Sequence, residues 1–181
     1  MNSGTLLGIP YGNWLTFLGS LIGASMPIII LIVQHHQNKV LRAKEKNENF
    51  IVSYSSYKFY FDKVNRTLEK VISETSNTEK SVNDLRAIYV KAKEIFRYCL
   101  NKLNDLDDNK FTAVSHMKLM EIKYEMDHLL TKTNDMIVSK WDKGSRPLED
   151  FLFYLKNKQT TIETINEVTD HEYLRVRSHM K

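Results

Sequence analysis

The sequence predicts an all-α protein in which one N-terminal transmembrane helix is followed by a cytoplasmic antiparallel helical bundle of about four helices. Three observations lead to this prediction. Residues 14–33 form a run of 20 residues without a charged side chain. Neither glycine nor proline occurs in the 116 residues between Pro27 and Gly144, which favours helices over strands and tight turns. Apolar residues in that stretch recur at steps of three and four, as on the buried face of a helix.

The apolar run at residues 14–33 is long enough to cross a membrane. At 1.5 Å per residue it spans roughly 30 Å, the thickness of the hydrocarbon core of a bilayer. Tyr11 and Trp14 lie at one end, where interfacial aromatic side chains are common. A cleaved signal peptide would need a basic N-terminal region, but no basic side chain precedes Lys39. The segment is therefore predicted to be a permanent anchor, with a kink at Pro27.

Basic residues flank only the C-terminal side of the predicted anchor. They are Lys39, Arg42, Lys44 and Lys46. The positive-inside rule then places the short N-terminus outside and the C-terminal part in the cytoplasm of a single-pass protein of the plasma membrane. The same four side chains are expected to attract anionic lipids, so the lipid bilayer is the first predicted partner.

Small residues recur along the predicted anchor at helical spacing. Gly19 and Gly23 form a GxxxG motif, with Ser20 and Ala24 beside it. Such residues let two helix backbones approach closely in lipid, where packing replaces the hydrophobic effect as the driving force. We therefore expect the anchor to self-associate or to dock onto another membrane helix.

The chain after the anchor is predicted to consist of amphipathic helices joined by short polar connections. Short connections favour antiparallel neighbours and hence an up-down bundle. The predicted divisions are a short extracytoplasmic N-terminus (1–13), the transmembrane helix (14–33), a basic juxtamembrane stalk (34–49), the helical bundle (50–172) and a polar tail (173–181).

Capping signals set the predicted helix boundaries. The first helix of the bundle is expected to end near residue 72, and Ser76 with Glu79 forms a plausible capping box for a second helix over residues 79–106. A third helix is predicted over residues 111–141, with Gly144 in the C′ position after it. Pro147 then fits the first turn of a fourth helix.

Residues 50–61 are unusually aromatic, with six Phe or Tyr side chains in twelve residues. This composition has local strand propensity, but the helical spacing continues on both sides and favours a helix. Core packing accounts for part of the set. Tyr57, Phe59 and Tyr60 are predicted as a possible binding surface.

The sequence contains no motif that nominates a reaction. Cys99 is the single cysteine, and its apolar neighbours suggest a buried free thiol. Glu125 and His128 have the spacing of half a di-metal carboxylate site, but no second copy exists, so they are interpreted as surface residues. No P-loop, dinucleotide fingerprint or nucleophile elbow occurs. We therefore predict a non-enzymatic protein without cofactor or metal.

The net charge of +4 does not indicate a nucleic-acid-binding protein. Its 26 basic and 22 acidic side chains alternate along the chain, as on solvated helix faces, instead of forming one concentrated basic face. Nucleic acid is therefore a disfavoured partner.

The segment from Asn13 to Gly23, NWLTFLGSLIG, resembles the N-terminal anchors of uncharacterised single-pass membrane proteins from Gram-positive bacteria and their mobile elements. Those proteins share the plan of a Trp- and Gly-containing anchor followed by a Lys-rich helical part. The resemblance covers about 25 residues at the N-terminus and implies a bacterial plasma membrane. It carries over no functional residue.

These observations lead to three functional hypotheses. The first is a non-enzymatic, membrane-tethered interaction or regulatory module that binds itself or an unknown cytoplasmic protein. The alternative is a membrane-perturbing effector of the kind used in phage defence, exclusion or lysis, since the small-residue stripe and Pro27 would also suit an oligomeric leak. The third is a sensor whose bundle binds a small ligand between helices.

Overall fold

The computed structural model describes residues 5–6 and 9–180, with side chains described from residue 16 onward. Two short strands, β1 (Thr5–Leu6) and β2 (Ile9–Pro10), pair antiparallel with Leu6 opposite Ile9. The remaining described elements are helical: α1 (Tyr11–Ser76), α2 (Val82–Asn104), a 3-10 turn (Asp108–Lys110), α3 (Ala113–Val138) and α4 (Arg146–Ser178). The predicted helical class is confirmed.

The chain divides into two compact units, residues 1–45 and residues 46–181. All the buried apolar side chains among the described residues belong to the second unit, where each of the four helices contributes to one core. The helix α1 continues without interruption through Pro27 and through residues 34–49.

The aromatic segment of α1 is helical, although its composition favours a strand locally. Phe50, Tyr54, Tyr57 and Phe61 follow one another at steps of four, three and four, and all are buried. The ring centroids of Phe50 and Tyr57 lie 6.1 and 6.5 Å from that of Phe111, two residues before α3. Burial of this single face overrides the local strand propensity.

The predicted capping box of α2 was wrong by five residues. Ser76 is the last residue of α1, and its hydroxyl donates to the Ile72 carbonyl. The cap is Ser81: its hydroxyl accepts from the Asp84 amide at 3.2 Å, while the Ser81 amide donates to the Asp84 carboxylate at 3.1 Å. The usual capping box has Glu or Gln at the third helical position, whereas this one has Asp. The pair Ser81 and Asp84 is therefore harder to recognise from the sequence.

Gly144 was correctly singled out, but its predicted position was wrong. Its φ of 71° is in the left-handed region that glycine adopts without strain. However, α3 already ends at Val138, and Gly144 belongs to the turn before α4. The intervening loop is held by Trp141, whose indole Nε1 donates to the Met136 carbonyl at 2.7 Å.

The fourth helix extends beyond its predicted end and includes most of the segment predicted as a polar tail. Val176 is 4 % exposed, and the ring of Tyr173 stacks on that of Tyr54 with centroids 4.1 Å apart. These two side chains bury one face of the last turns of α4. Leu174 and Arg175 between them are exposed.

Side-chain contacts connect each pair of neighbouring helices in the second unit. Between α1 and α2, the Thr75 and Tyr89 hydroxyls are 3.0 Å apart and the rings of Tyr60 and Tyr98 meet edge to face. Between α2 and α3, Arg86 donates to the Ser139 carbonyl and Lys93 to the Asn134 amide oxygen. Lys158 of α4 donates to Glu125 of α3.

Candidate functional site

The apolar segment of α1 is exposed along its described length. An 18-residue window of this helix has a mean hydropathy of 2.2, and none of it is buried. Its large apolar side chains between Phe17 and Val33 are 44–64 % exposed. By length and composition this is the one helix among the described residues that could span a membrane. The side chains of Tyr11 and Trp14, predicted as interfacial, lie outside the described residues.

The small residues of the predicted association motif lie on this exposed segment. A methyl group added at Gly19 or Gly23 would meet no atom within 4 Å. Ser20 and Ala24 are exposed, and the Ser20 hydroxyl donates to the Thr16 carbonyl at 2.9 Å. The surface that a second helix would need is therefore open in the isolated chain.

The four basic residues predicted to face the membrane surface lie on α1. Lys39, Arg42, Lys44 and Lys46 are all exposed. Long basic side chains on a helix near a membrane can extend to the lipid headgroups. Their interaction with lipid stays a prediction.

The three aromatic residues of the predicted binding surface have different positions. Tyr57 is fully buried in the core, so its inclusion in a surface was wrong. Phe59 is 62 % exposed, as expected for a surface residue. Tyr60 is partly buried and packs edge to face on both Phe59 and Tyr98. The helical spacing explains this outcome, because Tyr57 shares the buried face of Phe50, Tyr54 and Phe61.

A polar cluster joins α1 to α4 within the second unit. The carboxylate of Asp170 accepts from the Tyr54 hydroxyl at 2.6 Å, from the Lys58 ammonium at 2.9 Å and from the Asn166 amide at 3.0 Å. Burial and the hydrogen bond to Asp170 raise the pKa of Tyr54 well above its usual value. The phenol therefore remains a donor at all physiological pH values, and the cluster acts as a structural tie between two helices.

A groove of about 680 Å³ lies between α1 and α2. Its α1 wall extends from Phe59 to Glu74, about 22 Å along the helix axis. Its floor is apolar: Val71 and Ala92 are buried, and Ile88 and Ile95 are partly buried. Volumes of roughly 300–1,000 Å³ are typical of sites for small molecules.

The rim of this groove is predominantly basic. Five cationic and two anionic side chains line it: Lys63, Arg66, Lys70, Lys80, Lys91, Asp62 and Glu74. Both carboxylates are paired, Glu74 with Lys80 at 3.4 Å and Asp62 with Lys58 at 3.7 Å. Lys63 lies over the Tyr98 ring, 4.5 Å from its centroid.

Four of the five rim cations, all except Lys80, have no acidic partner among the described residues; one of the four is Lys63, which lies over the Tyr98 ring. Arg66, Lys70 and Lys91 are exposed and form no ion pair with any residue that the structure describes. Sequence reasoning missed all three. The spacing of Lys63, Arg66 and Lys70 on one helix face was a usable signal, but the approach of Lys91 from α2 depends on the fold.

A second groove, between α3 and α4, has a balanced charge. Lys118 pairs with Glu121 at 2.7 Å, and Glu125 accepts from Lys158. Glu125, interpreted from the sequence as a surface residue, is half-buried and paired with Lys158. The ring of His128 packs on that of Tyr124. Among the described residues no three His, Cys, Asp or Glu side chains cluster as metal ligands would.

The single cysteine lies in the core of the second unit. Cys99 is fully buried, as predicted from its apolar neighbours. Burial raises the pKa of its thiol, which lowers the fraction of reactive thiolate at neutral pH. Cys99 is therefore a packing residue in this structure.

No model of a known protein family, no curated protein and no solved structure matches this chain. The resemblance of residues 13–23 to the anchors of bacterial single-pass proteins therefore stays a prediction. Two features of the chain's own residues bear on its function: the exposed apolar segment of α1, and the basic groove between α1 and α2.

Proposed function

We propose that this protein is a membrane-tethered, non-enzymatic regulatory module. The apolar segment of α1 is its anchor, and the second unit is a cytoplasmic binding domain. The observation that carries the proposal is the exposure of the apolar segment of α1. Exposed apolar patches larger than a few hundred Å² are rare on soluble monomers and mark contact with a membrane or another protein. The second unit closes its own core without that segment, which leaves the segment available to a bilayer.

The domain is proposed to be an antiparallel four-helix bundle. Opposite ends of neighbouring helices meet: Thr75, near the end of α1, contacts Tyr89 in the first third of α2, and Arg86, near the start of α2, contacts Ser139 at the end of α3. The contact between Lys158 and Glu125 joins the middle of α4 to the middle of α3. This pattern supports an up-down order, which places potential ligand sites in the grooves between neighbouring helices.

The proposed orientation depends on the charges beside the anchor. Lys39, Arg42, Lys44 and Lys46 follow it, whereas no charged side chain precedes it. The bias in Lys and Arg determines which end of a single span stays in the cytoplasm. The bundle is therefore proposed to face the cytoplasm.

Insertion can be tested with charged substitutions in the apolar segment. Ile22→Lys with Ile29→Lys should release the protein from membranes on carbonate extraction, because each lysine near the centre of a span costs about 3 kcal/mol. Val52→Lys with Val138→Lys is the matched control, since both residues are about 70 % exposed in the second unit. Recovery of the unaltered protein in the soluble fraction would contradict the proposal.

Orientation can be tested with a single added cysteine. Cys99→Ala removes the native thiol, and Thr78→Cys places a new one in the exposed turn after α1. An impermeant maleimide should label this residue only after the cells are permeabilised. Labelling of intact cells would place the bundle outside and reverse the proposed topology.

A further inference from the structure

We propose that the basic groove between α1 and α2 binds a nucleotide, that is, an anionic phosphate group attached to an aromatic ring system. This inference rests on the regulatory role proposed above and names the signal that the module would receive. The site combines unpaired cations, an apolar floor, an exposed aromatic side chain and a suitable volume.

The cations make the groove selective for anions. Arg66, Lys70 and Lys91 converge on it from two helices, and no acidic side chain among the described residues neutralises them. Arginine can donate two parallel hydrogen bonds to phosphate, and lysine supplies a compact positive charge. The groove between α3 and α4 lacks this feature, because Glu121 and Glu125 are paired with the lysines beside them.

The floor and one end of the groove favour a ring in addition to the phosphate. Ile88, Ala92 and Ile95 offer an apolar surface from α2, opposite the cations of α1. Phe59 is 62 % exposed at one end and presents an aromatic face to solvent. Stacking of a base on such a side chain tolerates any base, because every base has a π-face.

The dimensions distinguish this ligand from simpler anions. Inorganic phosphate would fill a small part of a groove of about 680 Å³ and would leave the apolar floor uncovered. A nucleotide can place its phosphates on the cations while its base covers part of the apolar floor. The site thus matches a ligand that has both charged and apolar parts.

Binding can be measured on the full-length protein in detergent micelles with the fluorescent nucleotides mant-ATP and mant-GTP, using empty micelles as the blank. At least one should bind saturably and be displaced by its unlabelled parent nucleotide. Pyrophosphate should displace it at least tenfold less effectively. Absence of saturable binding of both probes, or equal displacement by pyrophosphate, would overturn the proposal.

Two variants, each with a matched control, test the location of the site. Arg66→Ala, Lys70→Ala and Lys91→Ala together should weaken binding about 100-fold, at about fivefold for each lost cation. The control is Lys132→Ala, Lys143→Ala and Lys156→Ala, which removes the same charge from exposed positions elsewhere. An equal loss in the control would show non-specific attraction and overturn the assignment.

The second pair concerns the ring. Phe59→Ala should weaken nucleotide binding about tenfold. The dissociation constant of pyrophosphate, calculated from its displacement of the probe, should stay unchanged. Phe153→Ala is its control, because Phe153 is 68 % exposed on α4. Unchanged nucleotide binding in Phe59→Ala would contradict base stacking. Because these measurements do not require membrane insertion, failure here is separable from failure of the proposed tethering.

Discussion

Several polar atoms buried in the second unit have no hydrogen-bond partner among the described residues. Thr133 of α3 is one of them: it is 1 % exposed and its Oγ1 is unpaired. In the sequence this threonine interrupts an apolar stripe, and the structure places it inside the core. Burying a hydroxyl without a partner costs about 1–3 kcal/mol in proteins.

We expect Thr133→Val to stabilise the protein by about 1 kcal/mol, because a methyl group replaces the unpaired hydroxyl at nearly constant volume. The melting temperature should rise by about 3 °C for a unit of this size, as followed by circular dichroism in detergent. Thr131→Val on the exposed face of the same helix should change it little. A lower melting temperature for Thr133→Val would show that the hydroxyl has a partner.

Glu172 makes stability depend on pH. It is 7 % exposed, and Arg175 donates to both carboxylate oxygens at 2.7 Å. The hydrogen bonds from Arg175 hold its pKa below the usual 4.5. A carboxyl group with a depressed pKa contributes stability above its unfolded pKa, and that contribution is lost as the pH falls through the folded value.

Glu172→Gln should therefore destabilise the protein at pH 7, and its urea midpoint should depend less on pH than that of the wild type between about pH 5 and pH 3. Glu167→Gln, at an exposed position five residues earlier, is the control and should retain the wild-type profile. Parallel profiles for Glu172→Gln and the wild type would contradict the assigned role.

At the scale of single elements, caps and turns determine where helices begin. Ser76 with Glu79 was the predicted capping box of α2; Ser81 with Asp84 has the same spacing but was not predicted. The structure selects the second, because α1 continues to Ser76 and both hydrogen bonds of the box form at Ser81. A polar stretch such as residues 73–81 contains several hydroxyls that can cap, so spacing alone did not distinguish them.

Substitution of the two serines distinguishes the alternatives. Ser81→Ala should lower the free energy of unfolding by about 1 kcal/mol, because an amide at the start of α2 loses its acceptor. Ser76→Ala should lower the free energy of unfolding by less than about half as much, because its exposed hydroxyl only donates to a carbonyl within α1. Urea denaturation of both variants in detergent checks this, and the reverse order would favour the boundary predicted from the sequence.

At the scale of the whole molecule, the exposed apolar segment of α1 is the predicted site of self-association. The surface around Gly19 and Gly23 is open, so larger side chains fit there without strain in the isolated chain. If two anchors pack through this face, added bulk separates their backbones.

Gly19→Ile with Gly23→Ile should therefore weaken self-association at least tenfold in sedimentation equilibrium at matched detergent concentration. Ser25→Ile adds bulk on another face of the helix and should leave association unchanged. A monomeric wild-type protein would contradict the predicted self-association through Gly19 and Gly23. Depolarisation of expressing cells that the double substitution abolishes would instead favour the membrane-perturbing alternative.

The sequence by itself determined the helical class, the apolar segment and most of the buried positions. These features follow from local chemistry: a run without charges, the absence of Gly and Pro, and apolar spacing at three and four residues. Phe59 was also recognised as exposed, because it falls off the helical stripe to which Phe61 belongs.

Only the tertiary structure decided which residues share a surface. Arg66 and Lys91 are 25 positions apart in the sequence, and they line one groove because α1 and α2 pack side by side. In the same way, the hydrogen bond from Tyr54 to Asp170 joins α1 to the part of α4 just before the segment predicted as a polar tail. Helical periodicity tells which face of one helix is buried, but the partner of that face depends on packing energies summed over the whole chain.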